Sequence, residues 1–277
     1  MAKRLTMRGL QRRISALDDR IAALEKTQFR LFDGLLHDGK PDLSSQGLML
    51  VNVIYEHELW PGLPREERTW PNLKQATVER LAVEASNGNF TSIDLEAFAN
   101  ESEANKILYF NTVTNWFQGA YTGPELSHYA YLPAWRDDWH NGEGTAEHAA
   151  WQAKNTARMI DVTAFSPEFY VRSASPEYEA VEWERRALMI VEECRRLDPE
   201  AEVVPYIWFN YTSNAGLPPG SRIPADFWRK ILRVVGEICD GAILWGGFTE
   251  QWDPTERWWV DTRKFLRRAK RHGGINR

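Results

Sequence analysis

Two carboxylates, Asp94 and Glu96, lie two positions apart within the apolar run Thr91–Phe98. Because side chains alternate along a β-strand with a period of two, a strand here would direct both carboxylates to the same side. Burial of a carboxylate raises its pKa, and a raised pKa suits a general acid. Other acid-x-acid pairs, such as Glu182 and Glu184, lie in polar stretches. We therefore interpret Asp94 and Glu96 as the catalytic pair. The alternative is that Asp94 is a core acid paired with Arg or Lys and that Glu96 is a solvated acid at the end of the strand.

Strand-like apolar runs and helix-like patterns alternate along most of the chain. The runs are Leu48–Tyr55, Thr91–Phe98, Leu126–Leu132, Met159–Phe165, Val203–Phe209 and Gly241–Gly247. The helix-like patterns lie near residues 72–86, 102–118, 146–158, 176–196, 225–238 and 256–271. Such alternation predicts an α/β fold with a parallel sheet. No dinucleotide-binding or P-loop glycine motif occurs, so we favour a closed, TIM-like (β/α) barrel, whose catalytic residues lie where the strands end.

The N-terminal part carries a heptad pattern. Its apolar positions are Leu10, Ile14, Leu17, Ile21, Leu24 and Leu31, with Gln28 in the remaining position. This spacing predicts a coiled coil, with a single amphipathic helix lying on the domain as the alternative. We therefore expect a coiled-coil helix at residues 1–37, a linker at 38–47 and the barrel at 48–277. Residues 10–31 would form a homo-oligomer, either a dimer or a trimer.

Composition excludes several classes of function. The chain has 277 residues and a formal charge of −5, which argues against a nucleic-acid partner. No segment approaches the roughly 18 apolar residues of a membrane span, and the N-terminus lacks the apolar core of a signal peptide. The histidines and cysteines show no metal-ligand spacing, and no cofactor motif occurs. We expect a cytoplasmic or virion-associated protein without metal or cofactor.

Tryptophan is unusually frequent, with 13 residues. Trp135, Trp208 and Trp245 follow strand-like runs, where flat rings could stack on sugars. Carboxylates beside such rings indicate cleavage of a glycosidic bond. Because Asp94 and Glu96 come from one strand, they would lie on the same side of a substrate. This arrangement favours a substrate-assisted mechanism, in which the acetamido group of an N-acetylated sugar attacks the anomeric carbon, Asp94 orients that group and Glu96 acts as acid and then base.

The segment Ser92-Ile-Asp94-Leu-Glu96 resembles the D-x-E strand of the hyaluronidase family. The run Asp240-Gly-Ala-Ile-Leu-Trp245-Gly246 resembles the late strand of that family, which ends in a Trp-Gly pair. The resemblance implies a barrel of seven strands and an N-acetylhexosamine-containing polysaccharide as substrate. It also implies roles in substrate binding, for which the candidates are Tyr206, Trp245 and Tyr170. The positions of Trp208, Trp135 and Glu250 after strand-like runs make them further substrate-binding candidates.

Two alternatives remain open at this point. In a conventional retaining or inverting glycosidase, Glu250, Glu56 or Glu168 would face Glu96 across the cleft. In the other alternative, a non-catalytic barrel binds carbohydrate on a coiled-coil stalk, as in an adhesin or a virus tail fibre. The heptads would then anchor the chain in a larger particle.

Overall fold

Parallel strands form the centre of the molecule. The computed structural model describes residues 29–98, 100–134, 144–218, 220–247 and 250–271. Its strands are β1 (Arg30–Leu35), β2 (Met49–Tyr55), β3 (Phe90–Asp94), β4 (Leu126–His128), β5 (Ala164–Phe165), β6 (Glu202–Val203), β7 (Tyr206–Trp208) and β8 (Gly241–Gly246). Six of them form one sheet in the order β4-β3-β2-β1-β8-β7, and β5 pairs with β6. The strand pairs within these two sheets are all parallel.

Backbone pairings connect the two sheets. β6 and β7 lie on one extended segment. The Val204 amide of this segment donates to the Phe165 carbonyl of β5, and its Pro205 carbonyl accepts from the Ile243 amide of β8, each at 2.8 Å. On the other side, Tyr129 pairs in parallel with Ser166, which links the end of β4 to the end of β5. The predicted α/β, TIM-like architecture is confirmed, whereas the number of seven strands stays a prediction.

In the described part of the chain, six helices of eleven residues or more surround these strands, and a four-residue helix, Glu56–Leu59, follows β2. The six are α1 (Gln75–Ala85), α2 (Glu103–Ala120), α3 (Ala146–Ala157), α4 (Trp183–Leu197), α5 (Ala225–Ile238) and α6 (Arg257–Arg271). A π-helical turn, Tyr178–Glu182, leads directly into α4. Ser102 and Thr145 cap α2 and α3 by accepting backbone N–H groups, as short hydroxyl side chains do at helix starts. None of the helices in the described ranges is long and apolar enough to cross a membrane.

The predicted domain boundary at residue 48 is wrong. Residues 30–35, assigned to the end of the coiled-coil helix, form β1, which pairs with β2 and β8 at the centre of the main sheet. Leu31, the last heptad position, is a buried strand residue. The prediction failed here because a short apolar run fits the period of a helix as well as that of a strand. Residues 38–47 are not a linker but the connection from β1 to β2, with Leu43 fully buried. The rest of the predicted coiled coil, residues 10–28, lies outside the described residues.

Two groups of buried side chains stabilise the barrel. One lies between the strands and the helices. The other fills the barrel interior and includes Phe32, Phe90, Tyr206 and Ile243. Tyr206 therefore belongs to the apolar interior directly beneath the ends of the strands, where the candidate site residues lie.

Candidate active site

β3 positions the acid pair. It pairs with β2 through Tyr55 and Asp94, and with β4 through Ile93 and His128. Asp94 is the last strand residue, Leu95 is buried and Glu96 is exposed. The expectation of a single strand through Phe98 is therefore wrong. Asp94 lies at the carboxyl end of an internal strand, and Glu96 lies in the loop that follows.

Asp94 lies in an environment that favours its protonated form. Its Oδ1 atom is buried and receives no hydrogen bond from the described residues. Burial, followed by the negative charges of Glu96 and Glu56, raises the pKa of Asp94 to about 7. The pKa of Asp94 therefore lies close to neutral pH, where the group can exist in either protonation state.

Glu96 also retains its proton to a higher pH than an ordinary glutamate. Partial burial is the largest cause, and the charges of Glu56 and Glu168 add to it, while Arg65 acts in the opposite direction on the pKa of Glu96. A carboxyl group that faces solvent and has a raised pKa can donate a proton to a bound substrate.

Glu56 and Glu168 are held differently from the acid pair. Glu56 follows β2 directly and lies 3.2 Å from Nη1 of Arg68. Both oxygens of Glu168 accept hydrogen bonds from Arg172, at 3.0 and 2.6 Å. Within the described part of the chain, Asp94 and Glu96 have no such ion pair.

Aromatic rings line the barrel beside these acids. Tyr170 stacks on Trp245, with ring centroids 5.6 Å apart and an interplanar angle of 23°. Trp208 meets the edge of Trp245 at 5.2 Å. Gly246 has a φ of 129°, and a Cβ atom there would collide with the indole of Trp208. Glycine at position 246, directly after Trp245, therefore leaves room for the indole of Trp208.

Tyrosine hydroxyls lie in the same interior. Tyr206 is 1% exposed, and its hydroxyl has no partner that meets hydrogen-bond geometry among the described residues. Burial raises the pKa of Tyr206 well above its ordinary value, the nearby Ser92 hydroxyl lowers it, and Asp94 raises it further. Tyr129 packs edge-on against Tyr206 at 4.8 Å. A neutral hydroxyl donor thus lies near Asp94 in the barrel interior.

Sequence reasoning did not assign Tyr55 and Tyr129 to the site. The Tyr55 hydroxyl interacts with Trp245, and burial raises the pKa of Tyr55 to about 12. Tyr129 and Tyr170 share a hydroxyl contact. Their positions at the ends of strands could have indicated a place in the site, because Tyr55 ends β2 and Tyr129 directly follows β4.

The predicted site residues do not all lie together. Asp94, Glu96, Tyr206, Trp245, Tyr170 and Trp208 lie in and around the barrel mouth, linked by the contacts above. Glu250 instead pairs with Arg222 at 2.8 Å and lies 3.6 Å from His37. It is not among the groups that perturb the pKa of Asp94 or Glu96, so the prediction that it belongs with them is not supported. Trp135 lies outside the described residues.

A cavity of about 180 Å³ opens beside Glu96. Its lining includes Glu96, Lys106, Tyr129, Tyr131 and Arg158. A larger groove of about 800 Å³ runs along α5 and α6 on the outside of the barrel. The smaller cavity contains an acid with a perturbed pKa, Glu96, and therefore adjoins the candidate site, whereas Asp94, Tyr206 and Trp245 lie outside its lining. Among the described residues, no group of three or more His, Cys, Asp and Glu side chains could hold a metal ion.

Comparison with known proteins identifies relatives by structure only. No protein-family model matches the sequence, and a search of curated proteins gives no match. Bee venom hyaluronidase superposes with a TM-score of 0.57 at 12% sequence identity, covering 88% of this chain and 96% of that chain. The chain has a hyaluronidase-like barrel fold. A second structure, bee venom hyaluronidase in complex with a hyaluronic acid tetramer, gives a TM-score of 0.55 at 12% identity, with the same coverage. The hyaluronidase-like barrel predicted from the D-x-E and Trp-Gly motifs is thus confirmed as a fold.

Proposed function

We propose that this protein is a glycoside hydrolase that cleaves a polysaccharide containing N-acetylhexosamine by a substrate-assisted, retaining mechanism. The observation that carries the proposal is the acid pair at the end of β3. Asp94 and Glu96 both have raised pKa values, and neither has an ion-pair partner in the described part of the chain. The likeness to the bee venom enzyme supports the same class of reaction.

Glu96 is the general acid in this proposal. Its raised pKa keeps a proton available for the glycosidic oxygen, whose bond to the anomeric carbon breaks. The acetamido oxygen of the same sugar forms the new bond to that carbon. Glu96, now a carboxylate, then takes a proton from the water that opens the cyclic intermediate and restores the original anomer.

Asp94 and Tyr206 would hold the acetamido group. The Asp94 carboxylate accepts the amide N–H and balances the positive charge that develops on the ring-closed intermediate. The hydroxyl of Tyr206 donates to the acetamido oxygen, which would provide the partner that this buried hydroxyl needs. Trp245 and Tyr170 form the apolar wall against which a sugar ring stacks.

The conventional two-carboxylate mechanism has less support. It requires a second free carboxylate across the cleft from Glu96. Glu56, Glu168 and Glu250 each have an arginine partner at 3.2 Å or less. The acetamido group of the substrate therefore remains as the nucleophile.

Replacement of Glu96 by Gln tests the proposal. Wild type, Glu96→Gln and the control Glu84→Gln are assayed against hyaluronan, chondroitin and chitin oligosaccharides, and product anomers are followed by NMR. Glu84 is an exposed helix residue paired with Arg80, so its variant keeps wild-type activity. We expect Glu96→Gln to lose at least about 100-fold in kcat, within the range for loss of a general acid. Full activity of Glu96→Gln would refute the assignment, and glycan binding by wild type without cleavage would favour a carbohydrate-binding barrel.

A further inference from the structure

The segment that follows β5 carries two residues of the barrel wall, Glu168 and Tyr170. Phe169 and Val171 alternate with them and pack into the core beneath the helices. The segment pairs with its neighbours only at single residues, such as Glu168 with Tyr206. It therefore lacks the continuous ladder that fixes a regular strand.

Two side chains of α4 bind the carbonyl groups of this segment. Arg186 donates from Nη2 to the Glu168 carbonyl and from Nη1 to the Tyr170 carbonyl, both at 3.3 Å. The indole of Trp183 donates to the carbonyl of Phe169 at 3.1 Å. Three consecutive carbonyls are thus satisfied from the helix, in place of backbone donors from β4. Arg186 and Trp183 are 4% and 1% exposed, so water does not compete for these bonds.

The π-helical turn before α4 accompanies this arrangement. Such turns shift the register of a helix and are frequent near functional sites. Nη1 of Arg186 donates at 3.2 Å to the hydroxyl of Tyr178, the first residue of the turn. Trp183 and Arg186, three residues apart, share the face of α4 that contacts the segment after β5.

We propose that Trp183 and Arg186 are positioning residues, which hold Glu168 and Tyr170 at a fixed distance from Glu96 and Trp245. This inference rests on the proposed hydrolase function for its kinetic readout. Glu168 repels the Glu96 carboxylate, and Tyr170 supports the ring of Trp245. Loosening the segment lets that repulsion move Glu168 away from Glu96.

The effect on pH dependence has a definite sign. Loss of repulsion lowers the pKa of Glu96, so the basic limb of kcat/KM moves to lower pH. A variant that only reduces the folded fraction scales activity equally at every pH. The charged groups around Glu96 that bear on this shift are Asp94 on β3, Glu56 and Arg65 after β2, Glu168 after β5, and Lys106 and Arg158 in the adjoining cavity.

Trp183→Phe removes the N–H donor together with part of the buried indole ring. Trp228→Phe is the matched control, because it removes the same atoms from another buried indole, which donates to the Trp258 carbonyl and the Thr262 hydroxyl of α6. We expect Trp183→Phe to lower kcat by about 5- to 50-fold and to move the basic limb to lower pH, whereas Trp228→Phe leaves both unchanged. Arg186→Lys provides the same test should Trp183→Phe fold poorly.

Glu168→Gln completes the design. In a protein that already carries Glu168→Gln, Trp183→Phe should not move the basic limb of kcat/KM any further. This non-additivity would show that Trp183 acts on Glu96 through the charge of Glu168. An unchanged limb in both α4 variants, or an equal shift in Trp228→Phe, would overturn the inference. If wild type cleaves none of the glycans, the hydrolase proposal fails separately. Carboxyl ¹³C NMR titration of Glu96 in the same variants then measures the shift without turnover.

Discussion

Replacement of Asp94 by Asn should stabilise the protein while it impairs catalysis. The folded state holds the pKa of Asp94 at about 7, against an ordinary value of 3.8. At about 1.4 kcal/mol for each pH unit, this difference corresponds to about 4 kcal/mol. Between the two values the unfolded chain loses its proton and the folded chain keeps it, so the wild-type free energy of unfolding falls as pH rises. Asparagine carries no charge and avoids that loss.

The assay is urea unfolding at pH 4, 6 and 8. We expect Asp94→Asn to match wild type near pH 4 and to exceed it by about 2 to 4 kcal/mol at pH 8. Asp261→Asn serves as the opposite control. Its carboxylate is bound by Arg257 and Arg229, which hold the pKa of Asp261 below its ordinary value despite burial. The stabilisation that the Asp261 carboxylate provides is present above pH 3.8, the ordinary pKa of aspartate. Asp261→Asn should therefore be less stable than wild type at pH 8, and the two stabilities should converge toward low pH.

The Asp94 result can refute the reasoning directly. If Asp94→Asn gains nothing between pH 4 and pH 8, the carboxyl is neither desolvated nor repelled by Glu96 and Glu56. The site would then lack the electrostatic feature on which the proposed chemistry depends.

Further variants test other parts of the site. Glu56→Gln removes one charge that raises the pKa of Glu96, so the basic limb of the pH–rate profile should move to lower pH; an unchanged limb would mean that the Glu56 charge is screened from the cleft. Gly246→Ala should cost about 1 to 3 kcal/mol of unfolding free energy, because a Cβ atom would displace Trp208 and the positive φ disfavours any side chain. Gly119→Ala, in a helix with open space around the new methyl group, should instead gain up to about 1 kcal/mol in thermal or urea unfolding. Equal effects of the two glycine replacements would contradict this account.

The sequence was informative wherever a local period decided the structure. Alternation of strand and helix patterns predicted the barrel, and the run through Trp245 predicted β8. β1 escaped notice because its short apolar run also fits a heptad position, and only pairing with β2 and β8 distinguishes the two.

The site was predicted less completely than the fold. Asp94 and Glu96 could be chosen from their spacing within an apolar run, whereas the ion pair between the substrate-binding candidate Glu250 and Arg222 could not be read from the sequence. Tyr55 was missed because its contact with Trp245 joins strands far apart in the sequence. The pKa of Asp94 depends on burial and on neighbours from other strands, which no local pattern encodes.

The barrel mouth separates two kinds of side chain by strand. Asp94 ends β3 and Glu96 lies in the loop that follows it, whereas the stacking rings Trp208 and Trp245 come from β7 and β8. Under the proposed function, proton transfer and sugar selection are therefore encoded in different halves of the gene. Recombination or directed evolution that varies only residues 203–247 can explore new glycans while it leaves the acid pair intact.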